Sequence, residues 1–260
     1  MTMIKHEGRG RRDENHRAGD RGSIFFIKLE PWSWRGHPAP AFPLADIAAG
    51  KFDEGLKRFA EGARACGKPF FLSFGHEMNG NWYPWAGDPE QYVAAYRHVH
   101  QKFAEYGMTN ATWIWNPNIE PADYFAYYPG DAYVDWVGID GYNTEDYGLP
   151  WRTPEEIFGG PVRALRALGK PLMIAETGCD VNSDLDRRLR KPEFLEQLFT
   201  LTVDHKLQGI LYFNVNVFEN GRPKNWKIDD DISRSAVRRV LAEKVFNVKR
   251  TIQLEEEVLP

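Results

Sequence analysis

The sequence predicts an α/β protein of the (β/α)8-barrel type, and three observations predict it. Short apolar runs alternate with longer amphipathic segments over residues 23–248. No low-complexity linker divides them, so they read as one domain. Each apolar run also ends in polar or aromatic residues. In a parallel barrel the βα loops converge at the carboxyl ends of the strands, so chemistry repeated at strand ends fits that architecture. A doubly wound sheet would gather its site at one switch point, behind a glycine-rich phosphate loop. Neither GxGxxG nor a P-loop is present.

The first 22 residues carry six basic and four acidic side chains with almost no apolar content, and read as a disordered tail rather than a secretory signal. Six strands follow: "SIFFIKLEPW" (23–32), "PFFLSFGHE" (69–77), "ATWIWNPN" (111–118), "VDWVGIDGYN" (134–143), "PLMIAETG" (171–178) and "GILYFNVN" (209–216). Between them, Phe52, Leu56, Phe59, Ala60 and Ala63 mark one helix, and Tyr92, Val93, Tyr96, Val99 and Phe103 a second, at spacings of three and four. A third helix spans about 154–168 and a fourth about 192–206, with Pro192 near its start. A fifth begins after Asp229-Asp230-Asp231, and residues 249–260 form a C-terminal extension. Eight strands close such a barrel and six are visible, so the amino-terminal part reads as truncated or replaced. An open arc would leave unpaired edges at its first and last strands.

Composition narrows the function. The net charge of -4 comes from 33 basic and 37 acidic residues without a dominant block, which argues against a nucleic-acid partner. No apolar run approaches the roughly 20 residues that cross a bilayer, so no membrane partner is expected. Cys66 and Cys179 read as free thiols in the core. Nine tryptophans stand out, because flat rings are platforms for the apolar faces of sugars.

Glu77 and Glu176 end the second and fifth visible strands, 99 residues apart. If the barrel forms, they face one cleft. Two carboxylates about 5 to 5.5 Å apart are the machinery of a retaining glycosidase, one attacking the anomeric carbon and the other protonating the leaving oxygen. Their surroundings must differ, so that one stays protonated and the other ionised. Helix capping or a surface ion pair is the alternative for either glutamate. Their matching strand-end positions and aromatic neighbours favour the paired role. His76-Glu77 also opens the helical zinc-protease motif, but Gly80 stands where the second histidine would be. His98 and His100 are two apart on a helix and point to different faces. No metal and no cofactor are expected, and neither a GxSxG elbow nor a cysteine–histidine signature offers a competing nucleophile.

The stretches "GHEMNGNWYPW", "VGIDGYN", "IAETG" and "YFNVNVFENGRPKNW", in that order across residues 24–228, resemble glycoside hydrolase family 26, the retaining β-mannanases and β-1,3-1,4-glucanases. The resemblance implies that Glu77 is the acid/base after the fourth barrel strand and Glu176 the nucleophile after the seventh. It implies that His76 contacts the sugar undergoing cleavage, a core histidine being the alternative. By the same resemblance Tyr142 hydrogen-bonds the nucleophile, and Asp140 is a ligand or organiser of that pocket, a structural role being the alternative for either. Trp82 and Trp226 are similar to the aromatic walls on either side of cleavage, while Glu30 and Trp32 reach a distal sugar. Buried packing is the alternative for the tryptophans, Trp85 included. Lys227 departs from the pattern, since family members often carry arginine there, and a lysine lacks the bidentate fork.

The function these residues imply is endo-acting, retaining hydrolysis of β-1,4 bonds in a mannan, with mixed-linkage glucan as the second substrate. A carbohydrate-binding relative without turnover is the reading from another class. The partner is a polysaccharide or oligosaccharide, and the chain is expected to be a monomer. Export is expected if an amino-terminal part is missing, and a cytoplasmic location otherwise.

Overall fold

Each of the six apolar runs carries a strand in the computed structural model, which describes residues 2–4, 24–32, 42–144, 149–181, 185–219 and 221–242. The chain forms two compact units, Met1–Asp140 with Leu168–Met173, and Gly141–Ala167 with Ile174–Pro260.

In the first unit, strands β1 (Thr2–Ile4), β2 (Phe25–Glu30), β3 (Phe70–Phe74), β4 (Ala111–Trp115) and β5 (Trp136–Asn143, in this unit through Asp140) lie in that order in one sheet. β2 to β5 are parallel, with Phe25 opposite Phe70, Phe70 opposite Ala111 and Ile114 opposite Trp136. Parallel neighbours need crossovers. Helices α1 (Leu44–Ala48) and α2 (Asp53–Cys66) connect β2 to β3, and α3 (Pro89–Glu105) connects β3 to β4. Two 3-10 turns, Tyr124–Tyr127 and Asp131–Tyr133, lie between β4 and β5.

The edge of β2 is not open as expected. β1 pairs with it antiparallel, Thr2 opposite Glu30 and Ile4 opposite Lys28. The expected tail therefore supplies three strand residues, whose backbone groups occupy a row that would otherwise face solvent. Residue 1 and residues 5–22 of that tail, and the extension 249–260, lie outside the described residues.

The sequence explains how the helices are fixed. At the start of α3 the Asp88 carboxylate accepts from the Gln91 N–H at 3.0 Å, and Pro89 occupies the first turn, where an N–H would lack a partner. Tyr92, Ala95, Tyr96, Val99 and Phe103 are all buried, as their spacing requires. Tyr92 ties this helix to the sheet, its hydroxyl donating to the Phe74 carbonyl at 2.9 Å at the end of β3. Full burial holds the Tyr92 phenol far above its ordinary pKa, so it stays a donor. α2 ends at Gly67, whose φ of 68° only glycine adopts cheaply. Cys66, expected in the core, is exposed instead: it is the last residue of α2, where the chain from Arg64 to Gly67 is exposed throughout. Both cysteines are free.

In the second unit, β6 (Leu172–Cys179, in this unit from Ile174) and β7 (Ile210–Tyr212) are parallel, Ile174 opposite Ile210, and joined by helix α5 (Leu185–Asp204). α5 begins upstream of the expected start and holds Pro192 inside it. The third expected helix is divided into a π-helical turn, Glu155–Gly159, a short α4 (Gly160–Leu165) and a 3-10 turn, Arg166–Leu168. Pro161, which has no N–H, interrupts the regular ladder there. A hairpin of β8 (Asn216–Glu219) and β9 (Arg222–Asn225) was not anticipated, although Asn220-Gly221 is a strong hairpin signal. Gly221 has φ of 75°, as such a turn demands. The final helix α6 (Asp231–Leu241) starts at Asp230, which accepts from the Ser233 N–H at 2.7 Å.

Candidate active site

The first unit concentrates its polar residues just beyond β3. Gly75 turns the chain with φ of 54°, its N–H donating to Leu29 at 3.0 Å, and two residues later Glu77 also has a positive φ, 53°. A Cβ-bearing residue pays roughly 1–2 kcal/mol to sit in this region, so the surrounding structure must hold it there. Its N–H donates to the Asn116 carbonyl at 2.8 Å, which fixes the residue against the end of β4.

The Glu77 side chain is 7% exposed. Its Oε2 accepts from the Trp82 indole N–H at 2.7 Å and its Oε1 from the Asn118 amide at 2.8 Å. Asn79 fixes Asn118 in turn: its oxygen accepts the Asn118 N–H at 2.9 Å, and its amide donates to the carbonyls of Asn118 and Pro121 at 2.9 and 2.7 Å. Trp82 is 48% exposed, so the ring that donates to the carboxylate also offers surface to a ligand. Trp85, three residues on, does the opposite. It is 1% exposed, stacked on Tyr83 at 4.3 Å, and donates to the His76 carbonyl at 2.8 Å, a packing and positioning role.

His76 is buried against Tyr83 and Trp85, with Nδ1 3.8 Å from a Glu30 oxygen, a charge contact beyond hydrogen-bond range. The other Glu30 oxygen accepts from the Trp32 indole at 2.6 Å, and Trp32 lies edge-on to both Tyr83 and Trp85. The structure thus brings Glu30, Trp32, His76, Glu77 and Trp82 into one neighbourhood. Asp140 is fully buried in an ion pair with Lys28 at 2.9 Å, and its backbone N–H donates to Pro117 at 3.0 Å. His98 and His100 lie elsewhere on α3. His98 meets Asp53 at 2.6 Å, whereas His100 packs on Trp113 with its pKa lowered by burial.

The second unit holds the other three expected residues together. The Tyr142 hydroxyl donates to Glu176 Oε1, and the Tyr142 ring packs on Trp226 with centroids 5.1 Å apart. Gly178 permits this: a Cβ there would lie 2.8 Å from the Trp226 ring and 3.3 Å from Tyr142. Trp226 is 4% exposed, so its indole is largely wall and little platform in the chain alone. The Tyr212 hydroxyl donates to the Trp226 carbonyl at 2.9 Å and accepts from the Cys179 N–H at 3.1 Å. Burial raises the Tyr212 phenol strongly and pushes the Cys179 thiol up to about 12, so both stay neutral. Lys227 is exposed, and its backbone N–H donates to Asn216 at 3.2 Å.

Each unit therefore presents a strand-end carboxylate with a neutral aromatic donor on it. The two differ in what else they meet: Glu77 also accepts from the Asn118 amide, whereas the donor to Glu176 is a phenol packed on Trp226. Asn118, Asn79 and Tyr83 were not singled out in advance. The polar ending "NPN" of β4 was the available signal for Asn118, and nothing local marked the other two. No group of three or more potential metal ligands occurs among the described residues.

A family model described as glycosyl hydrolase family 26 matches residues 50–151. Among curated proteins, an endoglucanase H of Acetivibrio thermocellus is 38% identical over 169 residues, 60% of this chain and 18% of that protein. A mannan endo-1,4-beta-mannosidase of Bacillus subtilis is 30% identical over 114 residues, 40% of this chain and 29% of that protein. The chain thus spans less than a third of the length of either. Among solved structures, a family 26 beta-mannanase from Bacteroides ovatus superimposes with a TM-score of 0.65 at 18% identity, covering 89% of this chain and 72% of that one. That likeness is one of fold, and the fold is of the (β/α)8-barrel type.

Proposed function

We propose that this chain, which the glycosyl hydrolase family 26 model matches over residues 50–151, is a member of that family and an endo-acting β-glycanase that cleaves β-1,4 bonds in a mannan by a retaining mechanism. One observation carries the reading. Glu77 is a nearly buried carboxyl group whose partner, Trp82, is a half-exposed indole, which supports a reading in which one acts on the glycosidic oxygen and the other stacks on a sugar.

In this reading Glu77 protonates the leaving glycosidic oxygen as an oxygen of Glu176 attacks the anomeric carbon. The carbon–oxygen bond to the leaving sugar breaks, and a glycosyl ester on Glu176 forms. Glu77, now ionised, takes a proton from water as the water oxygen attacks the same carbon, and Glu176 departs as carboxylate. Tyr142 steadies the charge on Glu176 before attack and after release. His76 and Asp140 contact or organise the sugar at the reacting position, Trp82 and Trp226 flank it, and Glu30 with Trp32 serves a more distant sugar. The name of the 38% identical relative favours a second substrate, a β-glucan, attacked by the same chemistry.

The test is hydrolysis of soluble mannan, mixed-linkage glucan, β-1,3-xylan and cellulose, followed with Glu176→Ala and Glu77→Ala. The reading expects release of mannan fragments, no turnover by Glu176→Ala, and binding retained. Glu77→Ala should keep part of its rate only on an aryl glycoside whose leaving group needs no proton. Absence of hydrolysis of every glycan by the folded full chain sinks the enzyme reading. Binding without turnover supports the carbohydrate-binding alternative.

A further inference from the structure

Lys191 is a buried charged group of the second unit that this chemistry does not use. It lies on α5, is 1% exposed, and directs its ammonium at the backbone of a different segment. Nζ lies 3.5, 3.1 and 2.8 Å from the carbonyl oxygens of Asn225, Trp226 and Lys227. An ammonium has three N–H donors and no acceptor, so three successive carbonyls saturate it. Among the described residues no carboxylate forms an ion pair with it; Asp180, Asp229 and Asp230 act on it through space. Burying a lysine on carbonyls alone is costly, and its pKa is lowered by that burial. Such a cost persists only where the contact has a use.

The use is readable in what the three carbonyls belong to. Residues 225–227 leave β9 and carry Trp226, whose ring packs on Gly178 and on Tyr142, the donor to Glu176. The Trp226 carbonyl accepts from Lys191 and from Tyr212, and the Tyr212 hydroxyl is itself bound to the Cys179 N–H, three residues beyond Glu176. The indole N–H of Trp226 has no hydrogen-bond partner among the described residues. Its ring meets the Lys224 ammonium, 5.6 Å from the centroid, but makes no hydrogen bond that would fix its height, which the backbone must set.

We propose that Lys191 is a positioning residue that clamps the 225–227 backbone, and so sets Trp226 against Tyr142 and Glu176. This rests on the reading given above, since it concerns the residue assigned there as nucleophile. A misplacement of about 1 Å can cost on the order of 100-fold in rate. Lys191→Met, of similar length and without donors, should lower kcat about 10- to 100-fold with a smaller change in KM, and Lys191→Arg should restore part of the loss.

The test uses the full chain with ¹⁵N-labelled indoles, the Trp226 signal being assigned by its loss in Trp226→Phe. In Lys191→Met the Trp226 signal should shift or broaden while those of Trp82 and Trp85 stay in place. An unmoved signal with kcat within twofold of the parent overturns the proposal. If Lys191→Met does not fold, Lys191→Gln, whose shorter side chain keeps amide donors but cannot span the three carbonyls, is measured instead, and an unmoved Trp226 signal with kcat within twofold of the parent overturns the proposal equally. Should the parent hydrolyse none of the glycans, the functional reading falls, while the indole signals still decide the role of Lys191.

Discussion

Gly80→Ala isolates the link between Trp82 and Glu77. A Cβ at position 80 would lie 2.5 Å from Cη2 and Cζ2 of Trp82 and 2.6 Å from Cε2, where ordinary contact begins at 3.4 Å. The ring must therefore retreat by about 1 Å, and the 2.7 Å bond to Glu77 Oε2 stretches past hydrogen-bond range. Gly80 does not occupy the left-handed region, so alanine costs no backbone strain there. Trp82 is 48% exposed and can swing towards water without leaving a cavity, so stability should change by less than ~1 kcal/mol. A hydrogen bond to a charged group is worth about 1.5–3 kcal/mol, which corresponds to roughly 10- to 150-fold in kcat/KM. Initial rates on soluble mannan and a thermal melt measure the two effects. Activity within twofold of the parent would refute the reasoning, and so would a large fall in Tm. The effect should also vanish in a Trp82→Ala background, because Gly80 acts only through that ring.

Tyr142→Phe removes the donor to Glu176 with the ring and its packing on Trp226 kept. Activity should fall about 10- to 100-fold with Tm nearly unchanged, and an equal loss of both would point to packing instead. Lys28→Met leaves the Asp140 carboxylate buried without its lysine, at a cost of about 3–5 kcal/mol. The urea midpoint should drop accordingly and recover in part when Asp140→Asn is added. Iodoacetamide at pH near 8 should label the exposed Cys66 in the native chain and spare Cys179 until unfolding. Because burial raises the Cys179 thiol from 9.0 to about 12, the folded form holds its proton longer than the unfolded chain. Its contribution to stability is full below pH 9 and is lost as pH rises towards 12. Equal labelling of both cysteines, or no alkaline loss, contradicts this.

The six strand runs were legible because burial of a βα strand writes itself as a local apolar run, and α3 because Tyr92, Tyr96, Val99 and Phe103 recur on one helical face. "GILYFNVN" was overread as one strand. β7 stops at Tyr212 because the Asn214 and Asn216 side chains accept backbone N–H groups of Ile228 and Lys227 at 2.7 and 3.2 Å. Those partners lie 14 and 11 residues away, beyond the reach of any periodicity. The same holds for β1, whose pairing with β2 depends on what lies beside it in space and on no pattern of its own.

For the site, the strand-end carboxylates, His76 and the flanking tryptophans were all visible as sequence. The roles within "HEMNGNWYPW" were not. Trp82 and Trp85 are the same residue type three positions apart, yet one is half-exposed on Glu77 and the other buried on Tyr83. By itself the sequence determined which groups stand at strand ends, because alternation and burial are properties of neighbouring residues. Tertiary structure alone decided that Glu77 is held at φ of 53° between Trp82 and Asn118, and that Lys191 clamps the Trp226 backbone. Those outcomes come from groups 41 and 35 residues apart meeting in space, where hydrogen-bond geometry and desolvation choose the partner.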